Sequence, residues 1–135
     1  MIDTWIVVAD GSHCRIFSSD AEMAELTAVK EMRNQHHTGE HRGHSAKGHD
    51  SEHHAEEAKF AADVGAEITR AVGAHEVRDV LLVAPSRLLG DLMASLSKPT
   101  AAHVTGKIHK NFVTVERHEL ARRLRDALAE SHDAH

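Results

Sequence analysis

Trp5-Ile6-Val7-Val8-Ala9 is a short apolar run that stops at Asp10-Gly11. Asp-Gly suits a tight turn, and Cys14-Arg15-Ile16-Phe17-Ser18 then alternates apolar and polar positions, so the two runs predict a β-hairpin. Residues 25–32 alternate more weakly and predict a third, edge-like strand. Ala61, Val64, Gly65, Ile68 and Val72 recur at helical spacing and predict a helix over about residues 55–72. Glu52, Glu56 and Glu57 cluster at its start, where negative charge suits the helix dipole. Val80-Leu81-Leu82-Val83-Ala84 is continuously apolar, as a central strand buried on both faces requires. Pro85 ends that strand, and Ser86 is expected to cap a helix carrying Leu88, Leu89, Leu92, Met93 and Leu96. Residues 103–109 alternate as a half-exposed strand, and Leu120, Leu124, Ala127 and Leu128 share one face of a final helix.

The resulting order, β-β-β-α-β-α-β-α, predicts an α/β protein with three layers and a mixed five-stranded sheet. It is also the order of the ribonuclease H-like fold. The 135 residues fit a single domain, 1–135, and the 3% aromatic content requires an aliphatic core. The pattern fails at residues 34–55, which hold no large apolar residue and contain Gly39, Gly43 and Gly48. A gap of this length marks a flexible insert or a functional loop. Seven of the chain's 14 histidines lie within it.

One cysteine, Cys14, excludes an internal disulfide and a thiolate zinc cage, and it is expected to be buried and inert. No secretory or membrane-spanning segment is present, which implies a soluble cytoplasmic protein with no membrane partner. The net charge of −5 does not suit a general nucleic-acid binder. The charge is unevenly placed: from Lys98 to Arg125 there are seven basic residues, with only Glu116 and Glu119 among them. The last third is therefore a candidate surface for an anionic partner, or simply a solvated face.

Three stretches, "WIVVADGSHCRIF" (5–17), "DVLLVAPSRLLGDLMASL" (79–96) and "GKIHKNFVTVERHEL" (106–120), resemble the bacterial host-attachment protein family. That family is similar to the middle domain of archaeal and eukaryotic peptide-chain release factors. The resemblance covers nearly the whole chain outside the histidine-rich insert. It implies the ribonuclease H-like topology and a partner in translation. In the release factors, the connection between the opening strands and the first long helix carries a Gly-Gly-Gln tip. The nearest match here is Arg42-Gly43-His44-Ser45-Ala46, in which one glycine is arginine and the glutamine is His44. The resemblance thus implies a ribosome-binding role without peptide release.

Nuclease chemistry on this topology needs clustered carboxylates holding two metal ions about 4 Å apart. Asp10 and one of Glu56, Glu57 or Glu67 could contribute, but the fourth strand ends in Ala84-Pro85 and supplies no third acid. Asp10 reads better as a turn residue. Arg87 follows the C-terminal end of a central strand, where open α/β sheets bind ligands and helix amides favour anions. Its alternative is an ion pair with Asp91, and Gly90 is expected to permit close helix packing. Lys107, His109 and Lys110 line a half-exposed strand, and Arg122 and Arg125, three apart, are expected to share a face with them. Scarce aromatics argue against base-specific recognition of single-stranded RNA.

Non-catalytic binding of the ribosome or structured RNA, in translation or stress control, is the leading expectation. No cofactor is required by it. The alternative is metal binding through His37, His41, His49 and His53, whose i, i+4 pairs could hold zinc, copper or nickel. The sequence leaves the oligomeric state open, a homodimer included.

Overall fold

The structure, a computed structural model, describes residues 4–20, 25–36 and 49–133. The apolar run at the start forms β1 (Thr4–Ala9), and the alternating run forms β2 (His13–Ser19). Between them an Asp10 Oδ1 oxygen accepts from the Ser12 and His13 amides at 2.8 Å each, which closes the turn. Next come β3 (Thr27–Arg33), α1 (His49–Gly73), β4 (Asp79–Val83), α2 (Ser86–Ser95), α3 (Lys98–Ala101), β5 (Val104–Ile108) and α4 (Arg117–Asp133). The five strands form one sheet in the order β3-β2-β1-β4-β5. The β1–β2 and β2–β3 pairs are antiparallel, whereas β1–β4 and β4–β5 are parallel. The sheet is therefore mixed, as the element order requires.

Strand periodicity divides the core into two. Trp5, Val7, Val80 and Leu82 pack with α1 and α2 through Val64, Ile68, Leu89 and Leu92. Ile6, Val8, Leu81 and Val83 join Ile108, Leu120 and Leu124 on the α4 side. Both faces of β1 and β4 are covered, so those strands have no polar-out position and read as continuous apolar runs. The layers are α1 with α2, the sheet, and α4.

Three local expectations are corrected, and one element is added. Helix α1 begins at His49, about two turns earlier than the expected start near residue 55. The three insert glycines precede it, and Asp50, Glu52, Glu56 and Glu57 favour a helix start without adding apolar periodicity. Ser86 does not cap α2: Pro85 is the N-cap, with its carbonyl accepting from the Leu89 amide at 2.9 Å. Gly90 has open space around it, and the close helix approach falls at Gly65, where an added Cβ would stand 2.1 Å from Ser95 Oγ of α2. The short α3 carries no hydrophobic stripe; it is nucleated by Ser97, whose hydroxyl accepts from the Thr100 amide.

Glu67 ties α1 to the sheet edge. Its carboxylate pairs with Arg70 at 2.8 Å and with Lys30 of β3 at 3.4 Å, and it is only 13% exposed. The Arg70 hydrogen bond foremost, aided by the charges of Lys30 and Arg70, holds this carboxyl below its ordinary range despite the opposing effect of burial. A lowered folded-state pKa stabilises above the unfolded value and loses that contribution as pH falls through the folded value. Glu67→Gln should therefore cost about 1 kcal/mol near neutrality, a modest figure because both cations are half exposed. The difference from the parent should vanish in strong acid. Denaturant melts at neutral and acidic pH check this, and a pH-independent difference would contradict it.

Candidate anion-binding edge

The parallel register aligns the C-terminal ends of β1, β4 and β5. Val8 lies beside Val83, and Val83 beside Ile108. The three stretches singled out in the sequence therefore meet at one edge of the sheet: the Asp10 turn, Pro85-Ser86-Arg87, and His109-Lys110. The Ala84 amide donates to the Ile108 carbonyl at 3.0 Å and joins the second to the third. Ser86 Oγ and His109 Nδ1 then share a 3.0 Å hydrogen bond, with the ring tautomer setting which one donates. Sequence reasoning missed this pair. Its only signal was that both residues follow parallel strands.

No side chain caps α2, so the amides of its first turn are directed at this edge. Arg87 is exposed in that turn. Among the described residues it forms no ion pair, with Asp91 or with any other acid. The segment after His109 is held from beneath. Arg15 donates to the carbonyls of Val113 at 2.9 Å and Val115 at 2.7 Å, while its guanidinium lies 4.9 Å from the Phe17 ring centre.

The histidine-rich connection is rooted at the same edge. The Asn34 amide donates to the Ser12 carbonyl at 2.9 Å, and the Asn34 side chain donates to the carbonyls of Gly11 at 2.9 Å and Glu56 at 3.3 Å. His36 Nε2 lies 2.8 Å from Asp63 Oδ2. Glu57 packs onto the Asp10 turn so closely that a Cβ on Gly11 would sit 2.3 Å from its carboxylate, and a larger residue there would have to displace that side chain. His49 and His53 fall on the backbone of α1, one turn apart. Arg42, Gly43, His44 and Ser45, with His37 and His41, lie outside the described residues.

The expected basic surface comes apart. Lys107, His109 and Lys110 share a cleft of about 400 Å³ with Ile108, Ala127 and Leu128. Arg122 flanks the adjoining cleft with Lys110, but both Arg122 and Arg123 are bound to Glu119, the latter at 3.1 Å. Those two guanidinium groups, Arg122 first, hold the Glu119 carboxyl below its usual range. Arg125 lies elsewhere, in a cleft with Leu26 and Thr27. Arg122 and Arg125, three residues apart on α4, thus border different clefts.

The other sequence candidates are placed simply. Asp10 serves the hairpin turn. Among the described residues, no three histidine, cysteine or acidic side chains stand together as a metal-binding group. Cys14 is fully buried, and burial foremost, with the Asp10 charge, pushes its thiol up to about 12. It is unreactive near neutrality.

No curated protein matches this chain. Among solved structures it is similar to an archaeal translation termination factor, with a TM-score of 0.53 and 12% identity, covering 94% of this chain. The chain spans 39% of that factor's length. A second structure, described only as an archaeal protein, aligns with a TM-score of 0.44 and 11% identity over 96% of this chain and 38% of its own. At such identities the first likeness is one of fold. The family model for the protein required for attachment to host cells matches residues 5–124, and the chain belongs to that family.

Proposed function

We propose that this protein is a non-catalytic binding factor for structured RNA, with the ribosome as its partner, acting in the cytoplasm in translation or stress control. The observation that carries this reading is the convergence at one sheet edge of Arg87, Lys107, His109, Lys110 and the uncapped start of α2. Cations beside free amides suit phosphate oxygens without reading bases. The roots of the histidine-rich connection stand at the same edge. In the release factors this is the connection that carries the working tip, and the archaeal factor's similarity in fold supports the parallel. His44 in place of glutamine points to docking without peptide release. Among the described residues no helix is long and apolar enough to cross a membrane.

The test is co-sedimentation of the purified protein with ribosomes at low and physiological salt, beside a variant lacking residues 37–48. The intact chain should pellet at both salts and the deletion should pellet less. Failure of the intact chain to pellet at low salt would overturn the reading. Undiminished pelleting of the deletion would confine the contact to the strand edge.

A second reading draws on the placement of His49 and His53 one helical turn apart, the spacing at which two imidazoles can take one ion. On that reading the connection binds zinc, copper or nickel, with His37 and His41 as further ligands. Calorimetric titration of each metal should then give a Kd raised about tenfold or more by replacing His49 and His53 with alanine. An unchanged Kd would rule these two out as ligands.

A further inference from the structure

We infer that Ser86 is a positioning residue of the anion-binding edge: it holds the His109 ring so that the other ring nitrogen meets a phosphate oxygen, a contact that strengthens when the ring takes up a proton. The inference rests on the RNA-binding reading of that edge. Ser86 is the first residue of α2, yet its hydroxyl does not cap the helix. It lies instead 3.0 Å from His109 Nδ1. Both residues follow the C-terminal ends of neighbouring parallel strands, where the Ala84 amide is bonded to the Ile108 carbonyl just before each partner. The ring also borders the cleft of about 400 Å³ shared with Lys107 and Lys110, whereas Ser86 stands outside that lining, on the α2 side. Among the described residues no bond occupies His109 Nε2. One nitrogen is thus engaged from α2 and the other is left for a ligand.

A serine hydroxyl both donates and accepts. It donates to Nδ1 of the neutral ring and accepts from the Nδ1–H of the charged one, so one ring orientation serves both states. In each of them Nε2 carries a hydrogen, and in the charged ring that hydrogen makes a charge-assisted bond to a phosphate oxygen. The charged groups around the ring are Arg87 of α2, Lys107 of β5, Lys110 beside it and Glu130 of α4. The Asp10 carboxylate, at the end of β1, is turned into its own hairpin. Imidazole in general gains its proton at about pH 6.5, while RNA phosphodiesters stay ionised there. Protonation and binding therefore favour each other, and affinity through this contact rises as pH falls.

The test is co-sedimentation of the full chain with ribosomes at low salt, at about pH 6 and about pH 8, on either side of the imidazole range. The other histidines change charge over the same interval, so the readout is the difference between variants at each pH. Ser86→Ala should lower the affinity about fivefold at the lower pH and less than about twofold at the higher, the order of factor that pre-orienting one side chain supplies. Ser86→Thr should restore it. Ser86→Ala combined with His109→Gln should lose no more than His109→Gln alone, because the serine acts through the ring. In the free protein the His109 Nδ1 resonance, assigned by its loss in His109→Gln, should shift in Ser86→Ala. Both side chains are exposed, so the variants should melt with the parent. Additive losses in the double variant, equal losses at the two pH values, or an unshifted resonance would each overturn the proposal. Ribosome binding that ignores Ser86→Ala would overturn it alone, and no binding by the parent would overturn the RNA reading with it.

Discussion

Arg87→Glu combined with Lys110→Glu should weaken ribosome co-sedimentation by on the order of a hundredfold at low salt, without loss of fold. Each reversal removes an attraction to phosphate and adds a repulsion of similar size, about 1.4 kcal/mol or one factor of ten per site. Both side chains are exposed, so the cost to stability should stay within about 0.5 kcal/mol. Neutral replacements of the same two residues should lower the slope of log affinity against log salt by about 2. The internal comparison is Arg122→Ala, which should have a much smaller effect, because Arg122 already shares its charge with Glu119. Equal losses from Arg122→Ala and from the edge reversal would mean that the contact is spread along α4, and the edge assignment would fall.

Leu82→Ala should destabilise the fold by about 3–4 kcal/mol, the cost of lost burial plus a residual cavity. Leu82 is fully buried in β4, which lies between β1 and β5, and its side chain belongs to the cluster shared with α1 and α2. With sheet on one side and two helices on the other, the space has little freedom to collapse. For a chain of this size the melting temperature should fall by roughly 10–20 °C. Leu82→Met, which keeps most of the volume, should cost less than about 1.5 kcal/mol. Val29→Ala on the outer strand, where Val29 is 42% exposed, should change stability by no more than about 0.5 kcal/mol. A Leu82→Ala shift no larger than that of Val29→Ala would contradict the two-sided burial of β4.

Much of the frame was readable residue by residue. The Asp10 turn, the alternation of β2, the apolar run of β4 and the stripe Ala61-Val64-Ile68 each depend on neighbours close in the chain, and each folds as its pattern implies. Burial of Cys14 followed from its strand position beside Ile16. The errors have one kind of cause. Gly90 and Gly65 are indistinguishable in sequence, but only Gly65 faces Ser95 of another helix. Ser86 looked like a cap because serine often is one, yet its hydroxyl meets a histidine 23 residues away.

The candidate site shows the same division. Residue type and position at a strand end singled out Arg87, Lys107, His109 and Lys110 as candidates, and Lys107, His109 and Lys110 line one cleft. The pairing of Glu119 with Arg122 is a local i, i+3 contact within α4, whereas the placement of Arg125 beside a cleft with β3 was not legible, since it depends on how α4 is rotated about its axis against the sheet. The sequence by itself determined the elements, their order and the aliphatic core, because periodicity and turn chemistry act over a few residues. Only the tertiary structure decided which cations from distant segments stand together. Parallel strand register and helix rotation come from packing between distant segments, and no local pattern encodes them.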